Sequence, residues 1–468
     1  MEQIISEVYK LIKETNNLIE LEAKIQQLMY NSFTTFLEIA LSWIDQAIVQ
    51  RKQKDGWKPI HKDNKMLYLT FGPVKIKRTL MRNKQGESVY PLDEFLGLRK
   101  YQRYSSLVEV KIAELASQAT YRETARVLSE WTAVDVSHQT VGKIVKTVGE
   151  AQSRADEELV DDLEEAASLP EGRKVEFLVA EADGVFVRST KRKKSIEVHH
   201  AVTHEGWKSN GKRVSLDNKH VILTTKSTDT FWSQVQATTA HRYSLEKTQV
   251  VTNSDGGNGY TADKFQEAFS QSEFKVLNQL DPYHISQAVS RTFGVKSEWK
   301  TKVNKAIKSH DIDQLKTYLD TYESTLEDTS KVEKLQALRS YIVGNWDRIF
   351  DWRDQVESPP DGARSLGAME SNQRLVSFRM KKRGMHWSPD GAEAMVKVKQ
   401  GIINQTLRDA YLKQQQRSVR KQREVKQIVR MAQILRETNR PSIWAKHGQI
   451  SLYGAHSSAM GQLAKSFR

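Results

Sequence analysis

The stretch VEFLVAEADGVFV, residues 175–187, constrains this chain more than any other. Its first half is apolar and rich in β-branched residues, which predicts a strand inside a core. Asp183 stands within that run. Removing a carboxylate from water without a partner costs several kcal/mol, so Asp183 is protonated, paired or bound to a metal. Asp-Gly followed by VFV is also a tight-hairpin signal, and the chain is expected to turn back at Asp183 and Gly184.

Composition narrows what such a carboxylate can serve. The formal net charge is +14 over 468 residues. That excess points to a polyanionic partner, because Lys and Arg gain affinity by releasing counterions from phosphates. Nucleic acid leads, and an anionic membrane surface is second. Cysteine is absent, which excludes disulfides, thiolate zinc sites and Cys nucleophiles and fits a reducing, cytoplasmic compartment. Glu2, Glu7 and Glu14 interrupt any signal-peptide core. No run of about eighteen apolar residues predicts a membrane span. The length predicts about three domains.

Residues 3–50 carry apolar positions at helical spacing, from Leu18, Leu21, Ile25 and Leu28 to Phe33, Phe36, Leu37 and Leu41, which predicts one long helix or two in series. MLYLTFGPVKIKRTLM then alternates around Gly72 and Pro73 and predicts a β-hairpin over residues 65–90. Residues 105–152 read as helix, helix, short break and helix, with Ser137 as N-cap of the last and Val141, Ile144, Val145 and Val148 as its buried stripe. This is the layout of a helix-turn-helix. Tyr121 to Trp131 would be the supporting helix and Ser137 to Val148 the recognition helix. His138, Gln139, Thr140 and Lys143 would then face the major groove, where Gln can bond adenine and Lys guanine. A plain three-helix bundle would show the same stripe. The acidic run ADEELVDDLEEAASLPEG that follows reads as a solvated helix and linker.

Beyond the linker the pattern becomes α/β. VEFLVAEADGVFVR and SIEVHHAVTHEGW predict three strands with hairpin turns and HVILTT a fourth; a helix is expected in TFWSQVQATTAHRYS, and a strand in KTQVVTNS that ends at Asp255 and a glycine-rich loop. Another helix opens at Thr261, and FKVLNQL is a strand running into Asp281 and His284. Antiparallel strands, a helix and then alternating strands and helices are the order of a ribonuclease H-like fold. In such a sheet Asp183 and Asp255 lie on adjacent strands. Residues 288–360 are charged and helical throughout, an all-α unit. LGAMESNQRLVSFRMKKRGMHWSPDGA then places Leu366, Met369, Val376 and Met380 on one helical stripe and Glu370, Arg374, Ser377 and Lys381 on another face. Arg379, Lys382 and Arg383 add charge. A basic helix with Lys413, Arg417, Arg420, Lys421, Arg423, Lys426 and Arg430 closes the readable pattern.

If Asp183, Asp255 and Glu370 converge, the chemistry is narrow. Oxygen ligands without thiols select hard ions, magnesium or manganese, and two such ions stabilise the attacking and leaving oxygens of an in-line phosphoryl displacement. The blocks EADGVFV, NSDGGNGY, LDPYHI and GAMESNQRLVSFRMKKRGMHWSPDGA resemble the motifs of bacterial insertion-sequence DDE transposases of the ISLre type, and the order of elements is similar along nearly the whole chain. The Asp-x-x-His of Asp281 and His284 is also similar to a motif of Mutator-like transposases. The resemblance implies a catalytic, metal-binding triad of Asp183, Asp255 and Glu370, supporting roles for Asp281 and His284, two magnesium ions with manganese as an alternative, and an insertion domain ahead of the glutamate.

The expected organisation is therefore N-terminal helices and hairpin (1–95), helix-turn-helix (96–155), acidic linker (156–173), the first part of a ribonuclease H-like core (174–287), all-α insertion (288–360), the last part of the core (361–400) and a basic helical tail (401–468). The expected function is a transposase that binds terminal inverted repeats, cleaves 3′ ends and joins them to target DNA, with Gln139, Thr140, Lys143, Arg374, Lys381, Lys382 and Arg383 on DNA. Synapsis of two ends implies a homo-oligomer in the bacterial cytoplasm. A DNA-binding protein without catalysis and a metal-dependent nuclease without strand transfer are the alternatives.

Overall fold

A computed structural model describes residues 2–257 and 259–423. They fall into two compact units, one comprising the residues up to Ser105 and the other Ser106–Gln414, with residues 415–423 grouped with the first. No helix among the described residues is long and apolar enough to cross a membrane.

In the first unit two helices in series, α1 (Glu2–Glu14) and α2 (Leu18–Lys54), precede a sheet of β1 (Lys58–Leu69), β2 (Gly72–Arg82) and β3 (Ser88–Val89) and a short helix, α3 (Pro91–Leu96). The Asn17 side chain caps α2 by accepting the Glu20 N–H at 2.9 Å. Leu41 and Ile48 pack with Leu67, Val74, Ile76 and Leu92, while Leu18, Phe33 and Phe36 are exposed. The buried core thus takes the C-terminal part of the expected stripe, while Leu21, Ile25 and Leu28 are half-buried. The hairpin begins at Lys58, earlier than its apolar alternation suggested.

The second unit opens with α4 (Ser106–Ala116), α5 (Tyr121–Trp131) and α6 (His138–Glu165). Ser137 caps α6 through the Thr140 N–H, and Val141, Ile144, Val145 and Val148 are buried as expected. The acidic run is helix first and linker after, with a later boundary than expected: α6 continues unbroken to Glu165, and its stripe extends through Ala151 and Gln152 to Asp156. The solvated helix holds for Glu157, Asp161, Asp162, Glu164 and Glu165, which are exposed; Asp156 departs from it, being internal and paired with Lys397 at 2.5 Å.

Next come β4 (Arg173–Lys174), β5 (Phe177–Arg188), β6 (Ser195–His204), the small hairpin β7 (Trp207–Asn210) and β8 (Arg213–Leu216), and β9 (His220–Thr224). After α7 (Thr228–Arg242) follow β10 (Tyr243–Ser244), β11 (Gln249–Ser254), α8 (Ala262–Ala268) and β12 (Leu277–Leu280). The main sheet runs β12-β11-β5-β6-β9. β5, β11 and β12 are parallel, and β6 is antiparallel to both β5 and β9. One face packs Leu178, Ala180 and Ala182 on Phe231, Trp232, Val235, Phe265 and Phe269 from α7, α8 and the residue after α8. Side chains alternate along a strand, so Val179, Glu181 and Asp183 share the other face.

The expected hairpin at Asp183 and Gly184 is a correction. β5 runs straight through both, with Asp183 opposite His200 and Gly184 opposite His199, and the chain reverses only after Arg188. Gly184 serves close approach rather than a turn: a Cβ there would stand 2.3 Å from Glu197 Oε1 and 3.0 Å from the Tyr260 hydroxyl.

Between β12 and residue 367 the described chain is helical, with α9 (Pro282–Phe293), α10 (Glu298–Lys308), α11 (Ile312–Glu323), α12 (Thr329–Gly344) and two 3₁₀ turns. Leu280, Val289, Val303, Leu315, Leu335 and Ile342 share its core. Then follow α13 (Ala368–Met380), α14 (Pro389–Ile403) and α15 (Leu407–Arg423). The expected basic helix is α15 up to Arg423; Lys426 and Arg430 lie outside the described residues.

Candidate active site

The parallel pairing of β5 with β11 sets Glu181 beside Asn253. Two residues further along each strand the same register puts Asp255, just past β11, next to Asp183. Both are half-buried. Burial pushes the Asp183 carboxyl up to about 6; the Gly184 N–H, donated at 2.6 Å, opposes this, and the negative charges of Asp255 and Asp281 add to it while His284 works against it. Asp281 itself caps α9, accepting the Tyr283 N–H at 2.8 Å, and donates its own N–H to Ser254. Asp183, Asp255, Asp281 and His284 are thus one electrostatic neighbourhood.

Other groups enclose it. The Gly257 N–H donates to Asp255 at 2.8 Å, and the Tyr341 hydroxyl donates to the Asp255 carbonyl at 3.1 Å. Burial first, then Asp255, pushes Tyr341 up to about 12. Tyr260 is raised by burial and by Glu197, with Asp183 and Asp255 contributing. Arg348 donates to Ser254 at 2.8 Å and to Asn345 at 2.7 Å, and burial lowers its proton affinity.

Sequence reasoning missed the residue that builds the third side. Glu181 is buried, and its carboxylate accepts N–H groups from Gly367 at 3.1 Å, Ala368 at 3.0 Å and Met369 at 2.9 Å. These are orphan donors at the start of α13, and a negative charge there also meets the positive end of the helix. Desolvation still outweighs those bonds and raises the proton affinity of Glu181. One turn along α13 from Glu370, the Gln373 amide donates to Asp183. The signal available in sequence was the i, i+2 spacing of Glu181 and Asp183, which puts both on one sheet face.

Asp183 and Asp255 come together, whereas Glu370 is exposed on the first turn of α13. Among the described residues no three His, Asp or Glu side chains are close enough to hold one metal ion, so the expected triad does not close here. The paired aspartates nevertheless fit a hard divalent cation: they are adjacent oxygen donors whose mutual repulsion His284 and Arg348 offset only in part, since the Asp183 carboxyl still stands well above its ordinary value.

Gln139 and Lys143 are exposed at the start of α6, as is His138, while Thr140 is half-buried with its hydroxyl 2.9 Å from that of Ser137. Arg374, Lys381, Lys382 and Arg383 are exposed. Arg379 is not, contrary to expectation. Its guanidinium lies over Tyr121 and Trp387 and its Nε donates to the Ala116 carbonyl at 3.0 Å.

This chain belongs to the uncharacterised protein family UPF0236, whose profile matches residues 11–417. A UPF0236 protein in the vanSb 3′ region of Streptococcus gallolyticus is 30% identical over 467 residues, covering 99% of each chain. A UPF0236 protein of Caldanaerobacter subterraneus subsp. tengcongensis is 22% identical over 402 residues, covering 85% of this chain and 81% of that one. Another from the same organism, named for eleven loci, is 21% identical over 395 residues, covering 83% and 78%.

Proposed function

We propose that this chain is a bacterial insertion-sequence transposase with a ribonuclease H-like core, cleaving and joining DNA 3′ ends. One observation carries the reading: Asp183 on β5 and Asp255 just past the parallel β11 are neighbours in a sheet ordered β12-β11-β5-β6-β9, as the ribonuclease H-like expectation requires of its two aspartates, with the helix of Glu370 docked on the same face. Magnesium, as two ions with manganese as an alternative, would be held by Asp183, Asp255 and Glu370 and would stabilise the attacking and departing oxygens of an in-line displacement.

The chain's own groups do the rest. Gln373 orients Asp183, and Glu181 fixes the start of α13 and with it the direction of Glu370. Arg374, Lys381, Lys382 and Arg383 are exposed, where they can meet backbone phosphates, and the exposed Gln139 and Lys143 can reach base edges. The relatives add support. One is named for eleven loci of a single organism and another for four, as a gene that copies itself would be. Two ends held together call for a homo-oligomer, working in the cytoplasm.

Exposure of Glu370 outside a closed ligand set favours a second reading, DNA binding without catalysis. Purified protein, labelled duplex carrying the ends of the gene's own element, and magnesium or manganese decide between them. Metal-dependent nicking that Asp183→Asn, Asp255→Asn and Glu370→Gln each abolish, with end binding retained, is expected. Binding without nicking in either metal leaves the second reading; nicking by a variant removes that residue from the site.

A further inference from the structure

A cavity of about 380 Å³ opens beside α13, lined by Gln118, Arg374, Leu375, Phe378, Lys382 and Lys399. Its volume falls near the small end of ligand pockets, about 300–1,000 Å³. No lining residue is acidic. Lys399, on α14, is 6% exposed and has no hydrogen-bond or ion-pair partner among the described residues. Burial, with Arg379 and Arg383 nearby, drops its proton affinity to about 8. Its stem is buried but its ammonium is not sealed among the orphaned polar atoms, so it opens into the cavity, where an anion would pair it. Phe378, 57% exposed on the same wall, carries the Arg383 guanidinium over one ring face, 5.2 Å from its centroid, and offers the other.

We infer that this cavity is a nucleotide pocket, in which Lys399, Arg374 and Lys382 hold a DNA phosphate while the attached unpaired base stacks on Phe378. An ammonium at the floor with a guanidinium and a second ammonium at the rim is a phosphate cradle. An exposed aromatic ring beside it suits an unstacked base of any sequence. The inference rests on the proposed DNA-processing function, since α13 also carries Glu370 and a strand entering the site would pass this wall. The ligand is a nucleotide of a single-stranded or frayed end, not of an intact duplex, whose stacked bases cannot reach Phe378.

The test uses the full chain and its Lys399→Met and Phe378→Ala variants in two arms. Thermal unfolding with added inorganic phosphate reads the anion site alone. Fluorescence anisotropy with blunt duplex and with the same duplex bearing a single-stranded overhang reads the nucleotide. Phosphate should raise the melting temperature of the wild type and not of Lys399→Met. The wild type should prefer the overhang about tenfold, as one stacked base worth about 1–3 kcal/mol allows. Phe378→Ala should lose that preference while keeping the phosphate response. Lys399→Met should lose both, with the slope of log affinity against log salt on the overhang falling by about one. Lys399→Met matching wild type in both arms overturns the pocket. Phosphate stabilisation that needs Lys399 in a protein that binds no DNA keeps the anion site and overturns its assignment to DNA, along with the transposase reading.

Discussion

Helix α14 and strand β5 each carry two buried or half-buried charges two residues apart, and in each pair the surroundings differ. Lys397 is fully buried and donates to Asp156 at 2.5 Å, Gln234 at 2.9 Å and Gln400 at 3.2 Å. Lys399, on the other side of the same helix, meets only like charge and a cavity. On β5, Glu181 is saturated by three backbone donors, while Asp183 faces two more carboxylates. Charges that the fold compensates hold elements together. Charges it leaves short mark where something from outside the chain completes the structure.

The sharpest way to break this comparison is to treat both lysines alike. Lys397→Met leaves Asp156 as a buried, uncompensated carboxylate and should cost about 3–5 kcal/mol. Lys399→Met removes an ammonium that pairs with nothing in the chain and should leave stability unchanged or higher. Urea unfolding of both variants measures the difference. Equal losses would mean that Lys399 has an internal role the geometry does not reveal.

Asp183 offers a second test, through pH. Its folded carboxyl holds a proton up to about 6 against an ordinary value of 3.8. Between those values the unfolded chain is ionised there while the folded one is protonated, so the folded state binds more protons and stability falls as pH rises. In metal-free buffer this one group should cost on the order of 2–3 kcal/mol between pH 4 and pH 7, fully expressed above pH 6. Asp183→Asn should flatten that part of the stability curve. Magnesium should do the same for the wild type by supplying the missing charge. A wild-type slope unchanged by either would place Asp183 among the compensated residues.

Local signals were legible. Ser137 and Thr261 mark the starts of α6 and α8 by capping, and the apolar stripe of α6 has helical period. Apolar strand runs gave β5, β11 and β12, and their order brings Asp183 and Asp255 together. What stayed hidden depends on partners far along the chain. Asp156 looked like part of a solvated acidic run because Lys397 lies 241 residues away. Gly184 looked like a turn because its real reason, the approach of Glu197 and Tyr260, belongs to other elements. Arg379 looked like surface charge because the rings that receive it, Tyr121 and Trp387, come from elsewhere.

Glu181 sharpens the comparison with the smallest expected effect on stability. Glu181→Gln keeps the shape but replaces one of the two acceptor oxygens with a donor, so at least one N–H among Gly367, Ala368 and Met369 loses its partner. Loss of the charge facing the helix start adds to that. Against these losses stands relief from burying a carboxylate, since desolvation already raises its proton affinity. The net cost should be about 1–2 kcal/mol in urea unfolding. The functional effect should be larger than this figure suggests, because the start of α13 sets both the Gln373 contact to Asp183 and the direction of Glu370. Metal-dependent nicking should therefore fall well below wild type while DNA binding holds. Nicking at the wild-type rate with α13 loosened would mean that Glu370 does not need that anchor, and the compensated half of β5 would then be structural without also serving the site.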